Sequence, residues 1–263
     1  MNRRSILQFL SVSALSLGVV VSTPAHADVL DNVKKAGVIR IAVPTDFPPF
    51  GTVGTDMKPQ GYDIDMATLI AKDLGVKLEL VPVTSANRIP FVTTGRADLV
   101  ISSLGKNPDR EKVIDFSEAY APFFNGVFGP SDMKVTSAAD LAGKTIAVTR
   151  GSVEDLELSK IAPATATIKR FEDNNSTISA YLSGQTQLAA TGNVVAAALN
   201  ERTKLRPLAT KFIIKQSPCF VGANKGEAAL VAAVNATIVK AKKDGELNKI
   251  ATRWLKNPLP TDL

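Results

Sequence analysis

The amino-acid sequence predicts an α/β protein of two lobes, each a mainly parallel sheet flanked by helices, joined by a two-segment hinge. Strand-like and helix-like apolar patterns alternate over residues 38–101, which is typical of parallel sheets with crossover helices. The alternation pauses at an aromatic, extended stretch over 116–129 and restarts at 144. The length from Asp28 to Leu263 suffices for two modest domains or one large one, and the pause favours two.

The first 27 residues are predicted to be an export signal. Arg3 and Arg4 precede an apolar, uncharged run over 6–21, and Ala25-His26-Ala27 fits the small-x-small pattern of a cleavage site. The alternative is an uncleaved membrane anchor, but the run is shorter than the roughly 20 residues that a spanning helix needs. Cleavage after Ala27 places the protein in the periplasm, by either the ordinary secretory route or the twin-arginine route.

Five elements are predicted in the first lobe. A strand over 38–43 precedes a helix that we expect Asp63 to cap and Gly75 to end. Alternating apolar residues predict a second strand over 77–83. A short helix over 88–94 and a short buried strand over 97–101 complete the β-α-β-α-β order.

The second half of the chain repeats this order. Its predicted strands cover 144–149, 167–171 and 187–191, and its predicted helices cover 152–161, 176–182 and 194–202. The chain then leaves through an extended segment over 211–222. It ends in an amphipathic helix that begins near Glu227 and a last helix that carries Trp254.

The chain therefore crosses between the lobes twice, near 125–129 and 217–219. We assign 28–124 plus 220–263 to lobe 1 and 125–219 to lobe 2. Two crossing segments make a hinge, and a hinge between lobes makes a cleft that can close on a ligand.

Composition excludes several kinds of site. Without Arg3 and Arg4 the 31 basic side chains become 29 against 25 acidic ones, and none form the basic block that marks nucleic-acid binding. The single histidine, His26, belongs to the signal, and the single cysteine, Cys219, lies in an apolar stretch. We therefore expect no catalytic His or Cys arrangement, no metal site, no disulfide and no cofactor. We also expect a monomer.

Polar residues follow the strands where ligands of open parallel sheets bind, beyond the carboxyl ends. Ser103 and Arg110 follow the third strand, and Arg110 offers a planar fork suited to a carboxylate. Ser152 opens a second-lobe helix, whose free N–H groups favour an anion. These residues predict half of an anion clamp on each lobe. The alternatives are that Arg110 is solvated and pairs with Asp109 or Glu111, and that Ser152 only caps its helix.

The order of motifs resembles periplasmic solute-binding proteins of amino-acid ABC transporters. The matching stretches are IAVPTDFPPF, GYDIDMATLIAKDLG, ADLVISSLGKNPDREKVIDFSEAY, LAGKTIAVTRGSVEDL and the terminal helix with Trp254. VTSANRIPFV and WLKNPLP resemble the glutamate/aspartate-binding branch. The resemblance covers essentially the whole chain after the signal. It implies the two-lobed type II periplasmic-binding fold and a membrane permease as the partner.

The resemblance also implies roles for individual residues. Phe47 corresponds to the aromatic shelf over the ligand, and Ser103 and Arg110 to the pair that binds the α-carboxylate. Ser152 and the N–H of Val153 correspond to the contacts from the other lobe. Two more positions complete the implied site. Arg88 corresponds to the residue that reaches a distal carboxylate, and Asn175 to a polar residue that faces the cleft. By sequence alone, Arg88 could equally be a surface residue.

Two positions depart from the family pattern. Gly192 stands where relatives often have an aspartate that takes the ligand's ammonium, and Asn193 beside it supplies only a neutral acceptor. Gly105 stands where a hydroxyl residue is usual. Asp46 or Glu154 could replace the missing acid. Two arginines with fewer ammonium acceptors suggest a ligand richer in carboxylate than in amine.

These observations predict a secreted protein that captures a polar or acidic amino acid, of the glutamate or aspartate kind, for uptake by an ABC transporter. Three alternatives stay open. One is a binding protein for a carboxylate that is not an amino acid. Another is an enzyme on the same scaffold, similar to cyclohexadienyl dehydratase, with Asp46 or Glu154 as its general acid. The third is a sensory module that acts through a separate membrane receptor.

Overall fold

The computed structural model describes residues 28–263, so the signal predicted at 1–27 lies outside the described residues. Up to residue 121 the helices and strands are α1 (Val29–Ala36), β1 (Val38–Val43), β2 (Asp46–Phe47), β3 (Gly51–Val53), β4 (Pro59–Gln60), α2 (Tyr62–Leu74), β5 (Lys77–Pro82), α3 (Arg88–Thr93), β6 (Leu99–Leu104), α4 (Pro108–Glu111) and β7 (Ile114–Ala121).

The remaining elements are β8 (Phe124–Gly129), β9 (Thr145–Thr149), α5 (Val153–Ile161), β10 (Thr167–Phe171), α6 (Asn174–Leu182), β11 (Leu188–Gly192), α7 (Asn193–Arg202), β12 (Ala209–Gln216), β13 (Cys219–Asn224), α8 (Ala228–Lys243) and α9 (Glu246–Leu255). No helix within residues 28–263 is long and apolar enough to cross a membrane.

Two five-stranded sheets carry the fold, with strand orders β5-β1-β6-β13-β7 and β10-β9-β11-β8-β12. In the first, β1 pairs in parallel with β5 and β6, while β13 is antiparallel to β6 and β7. In the second, β9 pairs in parallel with β10 and β11, while β8 is antiparallel to β11 and β12. The predicted α/β architecture of two sheets flanked by helices is confirmed.

Each sheet is more mixed than the sequence predicted, because the antiparallel strands flank the passages between sheets. The chain passes from the first sheet to the second between β7 and β8, and returns between β12 and β13. The lobe boundaries at 124/125 and 219/220 stay predictions. A small third sheet, β2-β3-β4, follows β1 and carries the aromatic stretch around Phe47.

Strand alternation places apolar side chains on both faces of each sheet, so helices cover both faces. In the first sheet, Ile41 packs with the α2, α8 and α9 side, and its neighbour Ala42 packs with the α3 side. In the second, Val127 joins the core under α5, and its neighbour Phe128 joins the core under α6 and α7. The carboxyl ends of the parallel strands remain uncovered by these helices.

Asp63 is not the helix cap that the sequence predicted. The N-cap of α2 is Gly61, and the helix begins at Tyr62. The φ of Gly61 is 145°, a conformation that glycine adopts readily because it has no Cβ. Asp63 is fully buried, and its carboxylate accepts hydrogen bonds from the backbone N of Ser103 at 2.7 Å and the hydroxyl of Tyr120 at 2.6 Å. The end of the helix was predicted correctly, with Gly75 in the left-handed region at φ 72°.

Candidate functional site

A narrow gap lies between the carboxyl ends of the parallel strands of the two sheets. Its walls come from both halves of the chain. The lining residues are Pro44, Asp46, Phe47, Val83, Ser85, Arg88, Ser102, Ser103, Phe123, Asn125, Thr149, Ser152, Val153, Glu154, Asn174, Ala190 and Thr191. We call this gap the cleft. Within residues 28–263 no group of three or more His, Cys, Asp or Glu side chains is placed to hold a metal ion.

Five of the residues singled out from the sequence line the cleft together: Phe47, Arg88, Ser103, Ser152 and Val153. The topology brings them together because β1, β6 and β9 all end at this edge. Their roles toward a ligand stay predictions.

Arg88 is buried, with 4% of its surface exposed, so the alternative of a surface arginine is wrong. Its Nε donates to the carbonyl of Ser85 at 3.1 Å, and its Nη1 donates to the carbonyl of Ser102 at 2.7 Å. Nη2 has no hydrogen-bond acceptor among residues 28–263, and the side chain lines the cleft. Burial lowers the pKa of Arg88, while the charges of Glu154 and Asp63 oppose that shift. Arg88 therefore presents a fixed, partly unused guanidinium to the cleft.

Ser103 lies inside β6 rather than after it, in the left-handed region at φ 41°. That conformation is unfavourable for a residue with a side chain, by about 1–3 kcal/mol, unless the surroundings impose it. The hydrogen bond from its N–H to Asp63 is the constraint that the structure shows.

Ser152 caps α5, as the alternative interpretation expected. Its hydroxyl oxygen accepts from the backbone N of Asp155 at 3.1 Å. Ser152 and Val153 both line the cleft, so the N-terminus of α5, where the helix dipole favours anions, lies at the cleft. The two interpretations of Ser152 are compatible.

Arg110 lies behind the cleft lining rather than in it. It is 6% exposed, which contradicts the alternative of a solvated charge, and Asp109 pairs with Lys112 instead. Its Nη1 donates to the carbonyl of Gly105 at 2.7 Å, and its Nη2 donates to the carbonyl of Gly151, across the cleft, at 2.9 Å. Burial, followed by the charge of Arg88, lowers the pKa of Arg110. Arg110 thus joins the two halves directly, and its role in gripping a ligand stays a prediction.

Asn175 and Asn193 are not brought to the cleft. Asn175 lines a separate groove between α6 and α7, while its neighbour Asn174 lines the cleft. The side-chain oxygen of Asn193 accepts from the backbone N of Phe124 at 3.2 Å, which turns it toward the chain passage. The sequence could not distinguish Asn174 from Asn175, because the choice depends on the residue at which α6 begins.

The two acids considered as replacements for the missing aspartate differ in availability. Asp46 accepts from the backbone N of Asn174 at 2.7 Å and from its side-chain amide at 3.2 Å, so its oxygens already join the two halves. Glu154 is 4% exposed, lines the cleft, and its carboxylate has no hydrogen-bond donor among the described residues. Glu154 is therefore the acid that remains free.

Asn125 is a cleft residue that the sequence analysis missed. It is 2% exposed, and its side-chain oxygen is buried without a hydrogen-bond partner within residues 28–263. A buried, unsatisfied acceptor is costly unless a ligand satisfies it. The sequence offered little signal, since Asn125 stands in the aromatic, extended stretch that forms β8, and no pattern there pointed to a site.

The two glycine departures have a steric cause. A Cβ at Gly192 would lie 2.0 Å from Cζ of Phe123, whose ring occupies the space that a larger residue would need. A Cβ at Gly105 would lie 2.4 Å from the hydroxyl of Ser217 and 2.9 Å from a methyl of Val153 in the other half. Gly192 therefore allows the ring of Phe123 to pack against it, and Gly105 allows Val153 of the other half to approach closely.

Comparison with known proteins gives a consistent result. A sequence model described as "Bacterial extracellular solute-binding proteins, family 3" matches residues 39–257. The chain is 28% identical to the ABC transporter glutamine-binding protein GlnH of Bacillus subtilis, covering 89% of this chain and 87% of that protein. It is 26% identical to the glutamate/aspartate import solute-binding protein of Salmonella typhimurium, covering 99% of this chain and 91% of that protein.

Solved structures agree with the fold. A solute receptor for L-cysteine of Neisseria gonorrhoeae superimposes with a TM-score of 0.81 at 31% identity, covering 86% of this chain and 93% of that one. An ancestral amino acid-binding protein described as a precursor of cyclohexadienyl dehydratase superimposes with a TM-score of 0.79 at 30% identity, covering 86% and 98%.

Proposed function

We propose, from the premise that this chain belongs to the bacterial extracellular solute-binding proteins of family 3, that its cleft captures an amino acid with a polar or acidic side chain, of the glutamate or aspartate kind. The protein then presents that amino acid to the membrane permease of an ABC transporter, from the periplasm. The relatives that match carry different ligand names, glutamine, glutamate/aspartate and cysteine, so the choice among amino acids is argued from this cleft.

The carboxylate half of the proposal depends on Arg88. Its unused Nη2 supplies a charged donor inside the cleft, where a charge-assisted hydrogen bond is strong. Ser103 and Ser152 add hydroxyls from opposite walls, and the first turn of α5 adds N–H groups. A ligand carboxylate at this point contacts both halves of the chain and so favours closure.

The ammonium half depends on Glu154 and Asn125. Both residues are buried and line the cleft. Neither the carboxylate oxygens of Glu154 nor the side-chain oxygen of Asn125 has a hydrogen-bond donor among residues 28–263. A ligand ammonium supplies the donors that these oxygens lack. The free carboxylate of Glu154, beside the free donor of Arg88, is the observation that carries the proposal, because an amino acid has the matching pair of charges.

The acidic side chain is proposed from the balance of charge. Arg88 and Arg110 are both buried at the site, and the charge of Arg88 acts on Arg110. Glu154 offsets part of this positive charge, and Asp46 is held by Asn174. With Asp63 protonated, the two buried guanidiniums exceed the one buried carboxylate of Glu154, and a second ligand carboxylate offsets this difference. The rings of Phe47 and Phe123 supply an apolar wall, with centroids 6.2 Å apart.

Thermal-shift and calorimetric screening of the purified chain tests this function. We expect glutamate or aspartate to raise the melting temperature more than glutamine, cystine or arginine, because a ligand of the folded state stabilises it by mass action. We expect Arg88→Met and Glu154→Gln each to abolish the shift, while Asn175→Ala, outside the cleft, keeps it. Glutamate that binds equally well to the wild type and to the Glu154→Gln variant would contradict the ammonium assignment.

The enzymatic alternative is tested by the same preparation. Glu154 is the acid available in the cleft, so incubation with the substrate of cyclohexadienyl dehydratase and detection of product would decide it. We expect no product, because the relatives compared above are named as binding proteins or receptors.

A further inference from the structure

Asp63 does not line the cleft, and the proposed function leaves it unused. It is fully buried on α2, and its two oxygens accept from the backbone N of Ser103 and the hydroxyl of Tyr120. Tyr120 is in turn held by Tyr62, whose hydroxyl donates to the carbonyl of Tyr120 at 2.7 Å. Ser103 lines the cleft, so Asp63 is one hydrogen bond away from the ligand site.

The charge on Asp63 is coupled to the charge in the cleft. Burial raises the pKa of Asp63 to about 7, while the hydrogen bonds from Tyr120 and Ser103 and the charge of Arg88 lower it. A ligand carboxylate that pairs with Arg88 offsets part of the guanidinium charge that Asp63 feels. Binding an anionic ligand therefore raises the affinity of Asp63 for a proton, by electrostatic linkage.

The ionisable groups that interact with Asp63 are Arg88 on α3, Tyr120 on β7, Cys219 on β13 and, on its own helix, Tyr62. Burial raises the pKa of Tyr62, Tyr120 and Cys219 above their ordinary ranges, so these three groups stay uncharged near neutral pH. The only histidine of the sequence is His26, outside the described residues. Asp63 is thus the group in this cluster that changes charge near neutral pH.

We propose that Asp63 is a positioning residue that holds Ser103 at the cleft floor and takes up a proton from solvent when the cleft binds an anionic amino acid, so that its protonation helps set the charge of the ligand that the cleft accepts. This inference rests on the proposed function for its ligand but not for its chemistry. A ligand of zero net charge brings both an ammonium and a carboxylate, and so leaves Asp63 nearly unchanged.

The first experiment needs no ligand. In an NMR pH titration of the full chain from pH 5 to pH 9, the Ser103 amide proton should shift with a midpoint near 7 in the wild type, because it donates to the titrating carboxylate. The Asp63→Asn variant should lose this titration, and Asp65→Asn, on the same helix but bonded to Trp254, should keep it. Tyr120→Phe removes a donor to Asp63 and should move the midpoint upward. A Ser103 amide that does not titrate in the wild type overturns the inference.

The second experiment uses L-glutamate and L-glutamine as ligands. Calorimetry in buffers of different ionisation enthalpy should show proton uptake with glutamate and almost none with glutamine. Between pH 6 and pH 8 the Kd for glutamate should rise by about tenfold at most, the limit for one coupled proton over the window in which Asp63 titrates. Asp63→Asn should abolish both effects, and Asp65→Asn should keep them.

The two experiments separate the two proposals. If neither ligand binds while the Ser103 amide titrates, the proposed function fails and the chemistry of Asp63 stands. If glutamate binds with equal proton uptake in the wild type and Asp63→Asn, the inference about Asp63 fails and the function stands. Should Asp63→Asn not fold, the wild-type titration and buffer comparison still decide.

Discussion

Replacing Asp63 with asparagine should change how the stability of the protein depends on pH. The pKa of this carboxyl is raised from an ordinary 3.8 to about 7 by burial. Since each pKa unit corresponds to about 1.4 kcal/mol, the folded state binds the proton more tightly than the unfolded state by about 4 kcal/mol.

This difference determines whether the unfolding free energy rises or falls with pH. Between about pH 4 and pH 7 the unfolded chain has lost the proton while the folded chain still holds it, so the unfolding free energy falls as pH rises. The stabilisation is fully present below the unfolded pKa and is lost by pH 8. Carboxyls with lowered pKa, such as Asp73 and Asp115, act in the opposite direction but only at more acidic pH.

Urea unfolding followed by the fluorescence of Trp254 measures this directly. Trp254 is the single tryptophan, and its α9 packs against α2, which carries Asp63. From pH 5 to pH 8 we expect the unfolding free energy of the wild type to fall by a few kcal/mol, about 2–4, and that of Asp63→Asn by less than about 1. A wild type whose stability is flat over this range would refute the reasoning, since no histidine titrates in the described chain.

Three other predictions concern the cleft. Arg88→Met should raise the Kd for glutamate by at least about 30-fold, measured by calorimetry, because removing one partner of a buried charge pair costs roughly 2–5 kcal/mol. Arg110→Lys should lose the donation to Gly151 across the cleft, so small-angle scattering should show a larger radius of gyration without ligand; an unchanged radius would argue against this contact as a closing force. Gly192→Ala should lower the melting temperature, because its Cβ would lie 2.0 Å from the ring of Phe123, and adding Phe123→Ala should restore part of the loss. Equal melting temperatures for Gly192→Ala and the wild type would show that the ring moves freely.

The sequence predicted the order of elements well and their boundaries less well. The α/β repeat was visible because buried strands and amphipathic helices have different apolar periods. The third strand of the first half was placed at 97–101 but lies at Leu99–Leu104, since its polar Ser102 and Ser103 are buried by tertiary contacts that a periodicity analysis does not include.

Part of the candidate site was predicted from the sequence. Phe47, Arg88, Ser103, Ser152 and Val153 line the cleft because their positions after strands and at helix starts fix their edge of the sheet.

The remaining positions depended on how the two halves meet. Asn174 replaces Asn175 at the cleft because of the residue at which α6 begins. The oxygen of Asn125 became noticeable only when the surrounding structure left it unpaired.

By itself, the sequence determined the class of fold, the family and the set of residue types that could meet an amino acid, because hydrophobic periodicity and motif order are local properties of the chain. Only the tertiary structure decided which charges are used and which are free. Arg110 and Asp46 are bound by groups from the opposite half. Among residues 28–263, Nη2 of Arg88 finds no acceptor and the carboxylate of Glu154 finds no donor in the cleft. Asp63 shows the same division: a helix start predicts a cap, but burial beneath β6 makes it a carboxyl that titrates near neutral pH.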